Sequence, residues 1–219
     1  MAGINWFESW DWAGSEREFK RAFELNPGSI ENCACYIELL TTIGRFPEAI
    51  ALAQSSTERD PLSELVAGAY GDALYMARRY EEALAHYQRA ITLNPQNADY
   101  QIQIALSYLQ LGRAPEALKV LEGPRFEWST WKAMTYAALG RRADATKILG
   151  KFTKDAADAY GISAAYLALG DKDAGLEWLT HGFDRREIPV TGVGFDPAFD
   201  SVRNDARFVA LVARLKLPR

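Results

Sequence analysis

The sequence is poor in the residues on which many enzyme sites depend. Its 219 residues include only two histidines and two cysteines. A hydrolase needs a nucleophile beside a positioned base. His86, however, lies in the middle of a predicted helix, and His181 lies near a predicted helix end, where a cation meets the helix dipole favourably. We therefore expect no catalytic activity.

The signatures of metal, phosphate and nucleic acid sites are missing as well. Cys33 and Cys35 have no second Cys or His pair at ligand spacing, so packing cysteines are the better interpretation. Side chains two apart on a helix point about 200° from each other, so these two cannot readily form a disulfide, and a reducing compartment fits best. No glycine-rich phosphate loop occurs. The 25 Lys+Arg are outnumbered by 29 Asp+Glu and form no basic stripe. We therefore expect no direct binding of nucleic acid.

Long apolar runs are also absent. No stretch approaches the roughly 20 residues needed to cross a bilayer, and residues 1–12 are aromatic and acidic instead of basic and then apolar. The sequence therefore predicts a cytoplasmic protein without a membrane partner and without an export signal. Its 48% of hydrophobic residues is ample for a folded core.

What the sequence does contain is an internal repeat with a period of about 34 residues. Pro27, Pro61 and Pro95 are evenly spaced by one period, and each follows an Asn or Asp. The residue before a proline is pushed out of the helical region, and the proline suits the next helix start, so these pairs mark joints between repeats. Other residues recur at the same positions of the repeat. Alanines fall where helices approach closely, and glycines fall at tight turns. The recurring residues are Ala49, Ala83 and Ala117, Phe46 and Tyr80, and Gly44 and Gly112.

This period predicts a series of helical hairpins. Their helices are expected near 2–12 with 14–25, 29–43 with 46–59, 62–77 with 80–93, and 98–111 with 114–122. Two abbreviated hairpins follow near 127–152 and 156–185, since Gly140 and Gly170 repeat the turn at shorter spacing. Prolines and glycines then break the pattern over 188–200, and 206–215 predicts a last amphipathic helix. We thus expect one continuous domain with four hairpins over 1–122, the first of them atypical, two over 123–185, and a loop with a capping helix over 186–219.

These motifs resemble the tetratricopeptide repeat (TPR) family, whose unit is a pair of antiparallel helices in about 34 residues. The match is close from Phe19 to Pro95 and looser afterwards. The resemblance implies an all-α, TPR-type α-solenoid, which is a right-handed superhelix of helix-turn-helix repeats with a C-terminal capping helix. It also implies a non-catalytic scaffold for protein-protein interaction, with no cofactor.

Several segments are more specific, among them 10–19, 74–83, 169–179 and 195–208. They are similar to the C-terminal TPR arrays of bacterial multidomain signalling proteins, which follow a winged-helix, cyclase or kinase domain. The alternative function is therefore a regulatory or sensory region for an upstream output domain. An accessory subunit of an envelope assembly is a third possibility, favoured by a leader peptide in the native gene. Where an upstream domain belongs beside this chain, Trp6, Trp10 and Trp12 would serve an interdomain or homodimer contact instead of ligand binding.

The TPR resemblance also implies which residues face the groove, because the first helix of each hairpin lines the concave face in that family. The candidates are acidic in the N-terminal half and mainly apolar further on, so the expected partner is a protein or peptide segment with basic and apolar portions. They are Glu31, Glu38, Asp72, Tyr75, Asp99, Gln103, Leu106, Trp131, Met134 and Tyr160.

Two features restrict this interpretation. Family members that clamp a C-terminal carboxylate use Lys, Arg and Asn on these faces. The corresponding residues here are Ala34, Glu38, Leu65 and Ala69, so that clamp is absent. The alternative for Ile102, Leu106 and Leu109 is that they pack against the next hairpin or against the C-terminal segment.

Overall fold

Every regular element in the described residues is a helix. The computed structural model describes residues 10–26, 28–153 and 158–218. Twelve α-helices there are labelled in chain order: α1 Trp12–Leu25, α2 Ile30–Thr42, α3 Phe46–Arg59, α4 Glu64–Met76, α5 Tyr80–Leu93, α6 Ala98–Gln110, α7 Ala114–Val120, α8 Thr130–Ala138, α9 Arg142–Leu149, α10 Ala159–Ala168, α11 Lys172–Asp184 and α12 Ala206–Ala213. Most of the helix predicted near 2–12 lies outside the described residues.

The chain divides into two units, which are considered separately. Unit 1 comprises Met1–Gln103 and Leu215–Arg219, and unit 2 comprises Ile104–Arg214. The boundary falls inside α6. The chain therefore leaves unit 1 after Gln103 and returns to it at Leu215.

Unit 1 is built from antiparallel hairpins. Helix α2 packs against α3 and also against α4, and α4 packs against α5. Small residues that keep the phase of the repeat allow this approach, since Ala49 and Ala83 have no exposed surface. One cluster of buried side chains joins the first two complete hairpins, and its members are Ala34, Ile37, Leu40, Ala49, Ala53, Val66, Ala69 and Ala73.

The two kinds of helix begin in different ways. Before α2 and α4, the first helices of two hairpins, a serine accepts a hydrogen bond from a backbone amide of the first turn: Ser29 from Asn32 and Ser63 from Val66. Helices α3 and α5, the second helices of these hairpins, instead follow an arginine that pairs with a glutamate three residues on, as Arg79 does with Glu82. These pairs are solvent-exposed, so each adds only a few tenths of a kcal/mol.

The turn inside each hairpin needs a backbone conformation that favours glycine. Gly44 has φ 80° and Gly112 has φ 71°, whereas Arg78 takes the same place in the intervening hairpin with φ 66°. A left-handed conformation is costly for a residue with a Cβ. The glycine positions predicted from the sequence are therefore confirmed as turns.

Unit 2 contains the two shorter hairpins, α8 with α9 and α10 with α11. Between α11 and α12 the chain forms two 3₁₀ helices, Ile188–Gly192 and Pro197–Val202, over the segment predicted to be irregular. The second of these packs against α10. Helix α10 is consequently covered on most sides, and eight of its ten residues are buried. The all-helical fold class predicted from the sequence is confirmed.

Candidate functional site

The first helices of unit 1 bring four carboxylates onto neighbouring surfaces. Glu31 and Glu38 lie seven residues apart and hence on one face of α2, and both raise the pKa of the Cys35 thiol between them, although burial of the thiol is the larger cause. Asp72 on α4 occupies the position of Glu38 one repeat later, and Asp99 on α6 lies close enough to raise the pKa of Asp72. We call these four carboxylates the acidic face.

Asp72 is the most enclosed member of the acidic face. Burial raises the pKa of its carboxyl to about 6. The Tyr87 hydroxyl donates a 2.7 Å hydrogen bond to Asp72 Oδ1 and acts in the opposite direction, whereas Asp99 raises the pKa further. Tyr87 comes from α5, so the second helix of the hairpin holds the carboxylate that the first helix presents.

Glu38 reaches solvent, yet the protein around it disfavours its charge. Burial raises the pKa of Glu38 to about 7, and the neighbouring Asp72 adds to the effect. A side chain that is both accessible and surrounded by protein is typical of the floor of a concave surface. Within the described residues, no lysine or arginine forms an ion pair with Glu38, Asp72 or Asp99.

An apolar edge adjoins the acidic face. A cavity of about 540 Å³ lies where α2 and α4 begin, and Glu31 belongs both to its lining and to the acidic face. Leu62 and Leu65 also line this cavity, and they are 75% and 47% exposed. Exposed leucines that share a cavity with carboxylates offer contacts for an apolar group with a cation beside it.

These leucines were not among the predicted site residues. A signal was present, because Leu65 lies one repeat after Glu31 and one repeat before Asp99. It therefore occupies the same repeat position as two predicted candidates. Leu62 carries no such signal, since its exposure depends on how the joint between repeats folds.

The remaining candidates of unit 1 are less accessible than the carboxylates. Tyr75 is buried, and its ring meets Tyr80 edge-on at 5.5 Å, inside its own hairpin. Gln103 is half-buried and is the last residue of unit 1 before the boundary. Accessible groups on this surface are thus mainly Glu31, Glu38 and Asp99, with Asp72 half-buried among them.

In unit 2 the apolar candidates lie in packed surroundings. Leu106 and Met134 are buried, and Trp131 is half-buried with its ring 6.1 Å from that of Tyr160. Tyr160 is only 9% exposed. Its hydroxyl donates to the buried Asp196, and its ring lies 5.3 Å from that of Phe199. The C-terminal segment thus covers Tyr160. Packing against this segment was predicted as an alternative for Ile102, Leu106 and Leu109, but not for Tyr160.

Groups that could support other chemistry are dispersed. His86 packs against Tyr70 at 3.9 Å between ring centroids, and burial lowers its pKa. Across the described residues, His, Cys, Asp and Glu nowhere form a group of three or more that could hold a metal ion. None of the helices in this part of the chain has the length and apolar character that crossing a bilayer requires.

Repeated antiparallel hairpins with a face formed by their first helices define the fold of TPR proteins. Residues 71–120 match the sequence profile of the TPR repeat family. The small glutamine-rich tetratricopeptide repeat-containing protein 2 of Mycosarcoma maydis is 29% identical over 101 residues, which span 46% of this chain and 29% of that protein. The chain therefore matches less than a third of this relative's length.

Solved structures share the fold over nearly the whole chain. A tetratricopeptide repeat protein from Parabacteroides merdae is 12% identical with a TM-score of 0.58, over 99% of this chain and 96% of that one. A thermophilic TPR protein from Thermus thermophilus has 18% identity and a TM-score of 0.54, with the same coverage. YrrB, a TPR protein with an unusual peptide-binding site, has 19% identity and a TM-score of 0.51, over 90% and 97%.

The buried carboxylates predict how stability depends on pH. Because folding raises the pKa of Asp72 from 3.8 to about 6 and that of Glu38 from 4.5 to about 7, the folded unit holds protons that the unfolded chain has released. The free energy of unfolding should therefore fall as pH rises from about 4 to about 7. Asp72→Asn, which retains an oxygen for Tyr87, should stabilise the protein by about 1 kcal/mol at pH 7.5, after allowance for solvent screening, and by little at pH 4.

Urea denaturation at the two pH values measures this difference. Glu81→Gln is the matched control, since Glu81 is exposed at the start of α5. A stabilisation by Asp72→Asn that is equal at pH 4 and pH 7.5 would contradict the assignment of a raised pKa.

Proposed function

We propose that the chain is a non-catalytic interaction scaffold whose acidic face docks a protein segment that carries lysine or arginine beside a large apolar residue. The observation that carries this proposal is a set of carboxylates on α2, α4 and α6 for which the described part of the chain supplies no ion-pair partner, next to the exposed Leu62 and Leu65. Basic side chains would neutralise the carboxylates, and an apolar side chain would enter the cavity at the edge.

Electrostatics supports a basic partner in particular. Burial disfavours the charged forms of Glu38 and Asp72, and repulsion from a neighbouring carboxylate adds to the effect, from Asp72 on Glu38 and from Asp99 on Asp72. A cation placed between Glu38 and Asp72 would offset part of this effect on binding, so complementary charge would favour both orientation and association rate. An acidic segment would meet added repulsion instead.

The distance between the exposed Leu65 and the carboxylate of Asp72 determines which kind of peptide segment fits. Leu65 and Asp72 are seven residues apart on α4, which corresponds to about 10 Å along the helix axis. An extended peptide covers about 3.3 Å per residue. An apolar residue and a lysine or arginine about three positions apart would therefore reach both.

The unit 2 candidates contribute less to this proposal. Tyr160 is covered by the C-terminal segment and Met134 is buried, so of these side chains Trp131 retains the most accessible surface. The apolar portion of the partner is for this reason assigned to Leu62 and Leu65 instead of to Tyr160. That assignment differs from the sequence-based interpretation, which placed the apolar contacts further along the chain.

Selection of peptides on the full chain tests the proposal. A random 12-residue phage-displayed library should yield peptides enriched in Lys or Arg with Leu, Ile or Phe. Glu38→Lys combined with Asp72→Lys should weaken their binding by about tenfold or more, since about 1.4 kcal/mol corresponds to a factor of ten. The control is Glu58→Lys with Glu81→Lys, which makes the same charge change at exposed residues of α3 and α5 and should alter affinity by less than about twofold.

The pH dependence of the same affinity gives an independent readout. Binding should be tighter at pH 8 than at pH 5.5, because Glu38 and Asp72 lose their protons near pH 7 and pH 6. Fluorescence anisotropy with a labelled selected peptide measures both effects. Selected peptides without basic residues, or equal binding by the face variant and its control, would refute the proposal.

The relation to C-terminal regions of bacterial signalling proteins stays a prediction. It would place the same acidic face in an intramolecular role, with a basic segment of an output domain as its occupant. The native reading frame decides between the two, because an output domain encoded upstream in the same frame would favour the regulatory function.

A further inference from the structure

Unit 1 contains two segments from distant parts of the sequence. Leu215–Arg219 groups with Met1–Gln103, whereas the preceding residues up to Arg214 belong to unit 2. The described part of this returning segment is 215–218, and we call it the tail. Neither the period of the repeats nor the hairpin pattern extends to the tail, so its place in unit 1 depends on specific contacts.

The tail is joined to the first turn of α1 by a buried hydrogen bond. The indole N–H of Trp12 donates to the carbonyl oxygen of Leu215 at 2.7 Å, across a separation of 203 residues. Trp12 is 5% exposed and Leu215 is completely buried. An indole buried in this way needs a partner for its N–H group, and the tail carbonyl supplies it.

The backbone turns sharply directly after this contact. Lys216 has φ 50°, a left-handed conformation that is unfavourable for a residue with a Cβ. Its side chain is exposed, so the side chain itself does not hold the turn. The turn directly follows the buried Leu215, whose carbonyl accepts the hydrogen bond from Trp12.

The rest of α1 is attached to unit 1 by different contacts. Phe19 is buried and stacks on Tyr36 of α2 at 5.6 Å, and Glu16 accepts hydrogen bonds from Tyr36 and Arg45. Hairpin packing therefore anchors α1 from Glu16 onward, whereas the tail contacts its beginning. The two anchors can be disturbed separately.

We infer that residues 215–218 are a clasp that docks on Trp12 within the same molecule and makes the order of the first turns of α1 depend on the C-terminal residues. The occupant of this surface is the chain's own tail, with Leu215 as its apolar anchor. Release of the clasp would uncover Trp12 and free the first turns of α1 while the packing of Phe19 on α2 remained. This inference is independent of the peptide-docking proposal, because it uses none of the residues of the acidic face.

A matched pair of substitutions at Lys216 tests the clasp. Proline fixes φ near about −65° and cannot adopt the observed turn, whereas glycine adopts it readily. Both substitutions remove the same charge and leave Trp12 and Leu215 in place. The readouts are hydrogen exchange of α1 and the rate of tryptic cleavage after Arg214, followed by mass spectrometry.

Lys216→Pro should speed exchange in the first turns of α1 and cleavage after Arg214 by about tenfold or more, and Lys216→Gly by no more than about twofold. Trp12→Phe, which keeps a smaller aromatic ring and removes the N–H donor, should give an intermediate effect of about fivefold. Exchange in α4 and α5 should stay unchanged in all three variants, which separates release of the clasp from general unfolding.

Three outcomes would overturn the inference. They are unchanged exchange and cleavage in Lys216→Pro, equal acceleration by proline and glycine, or acceleration that includes α4 and α5 to the same degree. Light scattering of the unmodified chain provides a further check. A dimer that Lys216→Pro converts to a monomer would place the tail on a second copy and would likewise overturn an intramolecular clasp.

Discussion

Replacement of Tyr87 by alanine should lower the free energy of unfolding of unit 1 by about 3–5 kcal/mol. The Tyr87 side chain is completely buried. It lies against Gly71, where an added Cβ would stand 2.5 Å from ring atom Cε1. A glycine cannot fill the space that the ring leaves, so most of the cavity would remain. The loss also removes the hydroxyl that donates to Asp72.

Tyr87→Phe separates the ring from the hydroxyl. It should cost only about 1–2 kcal/mol, because the ring stays and the loss is confined to the hydroxyl, which donates to Asp72. It should also raise the pKa of Asp72 further, since the hydroxyl stabilises the charged form. Urea denaturation combined with hydrogen exchange assigns the loss to unit 1. Equal destabilisation by Ala and Phe would show that the packing of the ring contributes little.

Replacement of Phe199 by alanine should destabilise unit 2 by about 3–5 kcal/mol. Phe199 has no exposed surface, and its ring lies between those of Tyr160 and Phe208, at 5.3 and 5.9 Å. These rings belong to α10, to the second 3₁₀ helix and to α12. Loss of the central ring should therefore loosen the C-terminal segment from α10 and leave Tyr160 accessible.

Val209→Ala is the control for this variant. Val209 lies next to Phe208 on α12 but is 54% exposed, so its truncation should change stability by less than about 0.5 kcal/mol. Hydrogen exchange in α10 and α12 should accelerate in Phe199→Ala and not in Val209→Ala. Unchanged exchange in α10 would contradict the view that the C-terminal segment covers this helix.

The hairpins were predictable because their determinants are local in the sequence. Pro61 and Pro95 limit helices through the backbone of the preceding residue, and Gly112 and Gly140 permit the turns. Predicted and observed helix bounds accordingly agree within a few residues, as for 29–43 against Ile30–Thr42. The turn at Arg78 was found from the period alone, since arginine has no preference for a left-handed backbone.

The candidate site was predictable only in part. Glu31, Glu38, Asp72 and Asp99 follow from helical spacing combined with the phase of the repeat, and the structure places them on adjoining helices. The spacing of residues along the sequence predicts which of them share a face of a helix, but it does not predict what covers that face. Tyr160 satisfied the same rule, yet Asp196 and Phe199 cover it from a segment that follows α11 and lies outside the repeats.

The sequence by itself determined the repeated hairpins, the all-helical class and the surplus of negative charge on the first helices of unit 1. These properties depend on backbone preferences and on neighbours within one repeat, where distance along the chain is small. Only the tertiary structure decided that Tyr160 is covered and that Trp12 contacts Leu215. Contacts between residues 36 to 203 positions apart depend on how whole elements pack, and no periodic pattern in the chain specifies that packing.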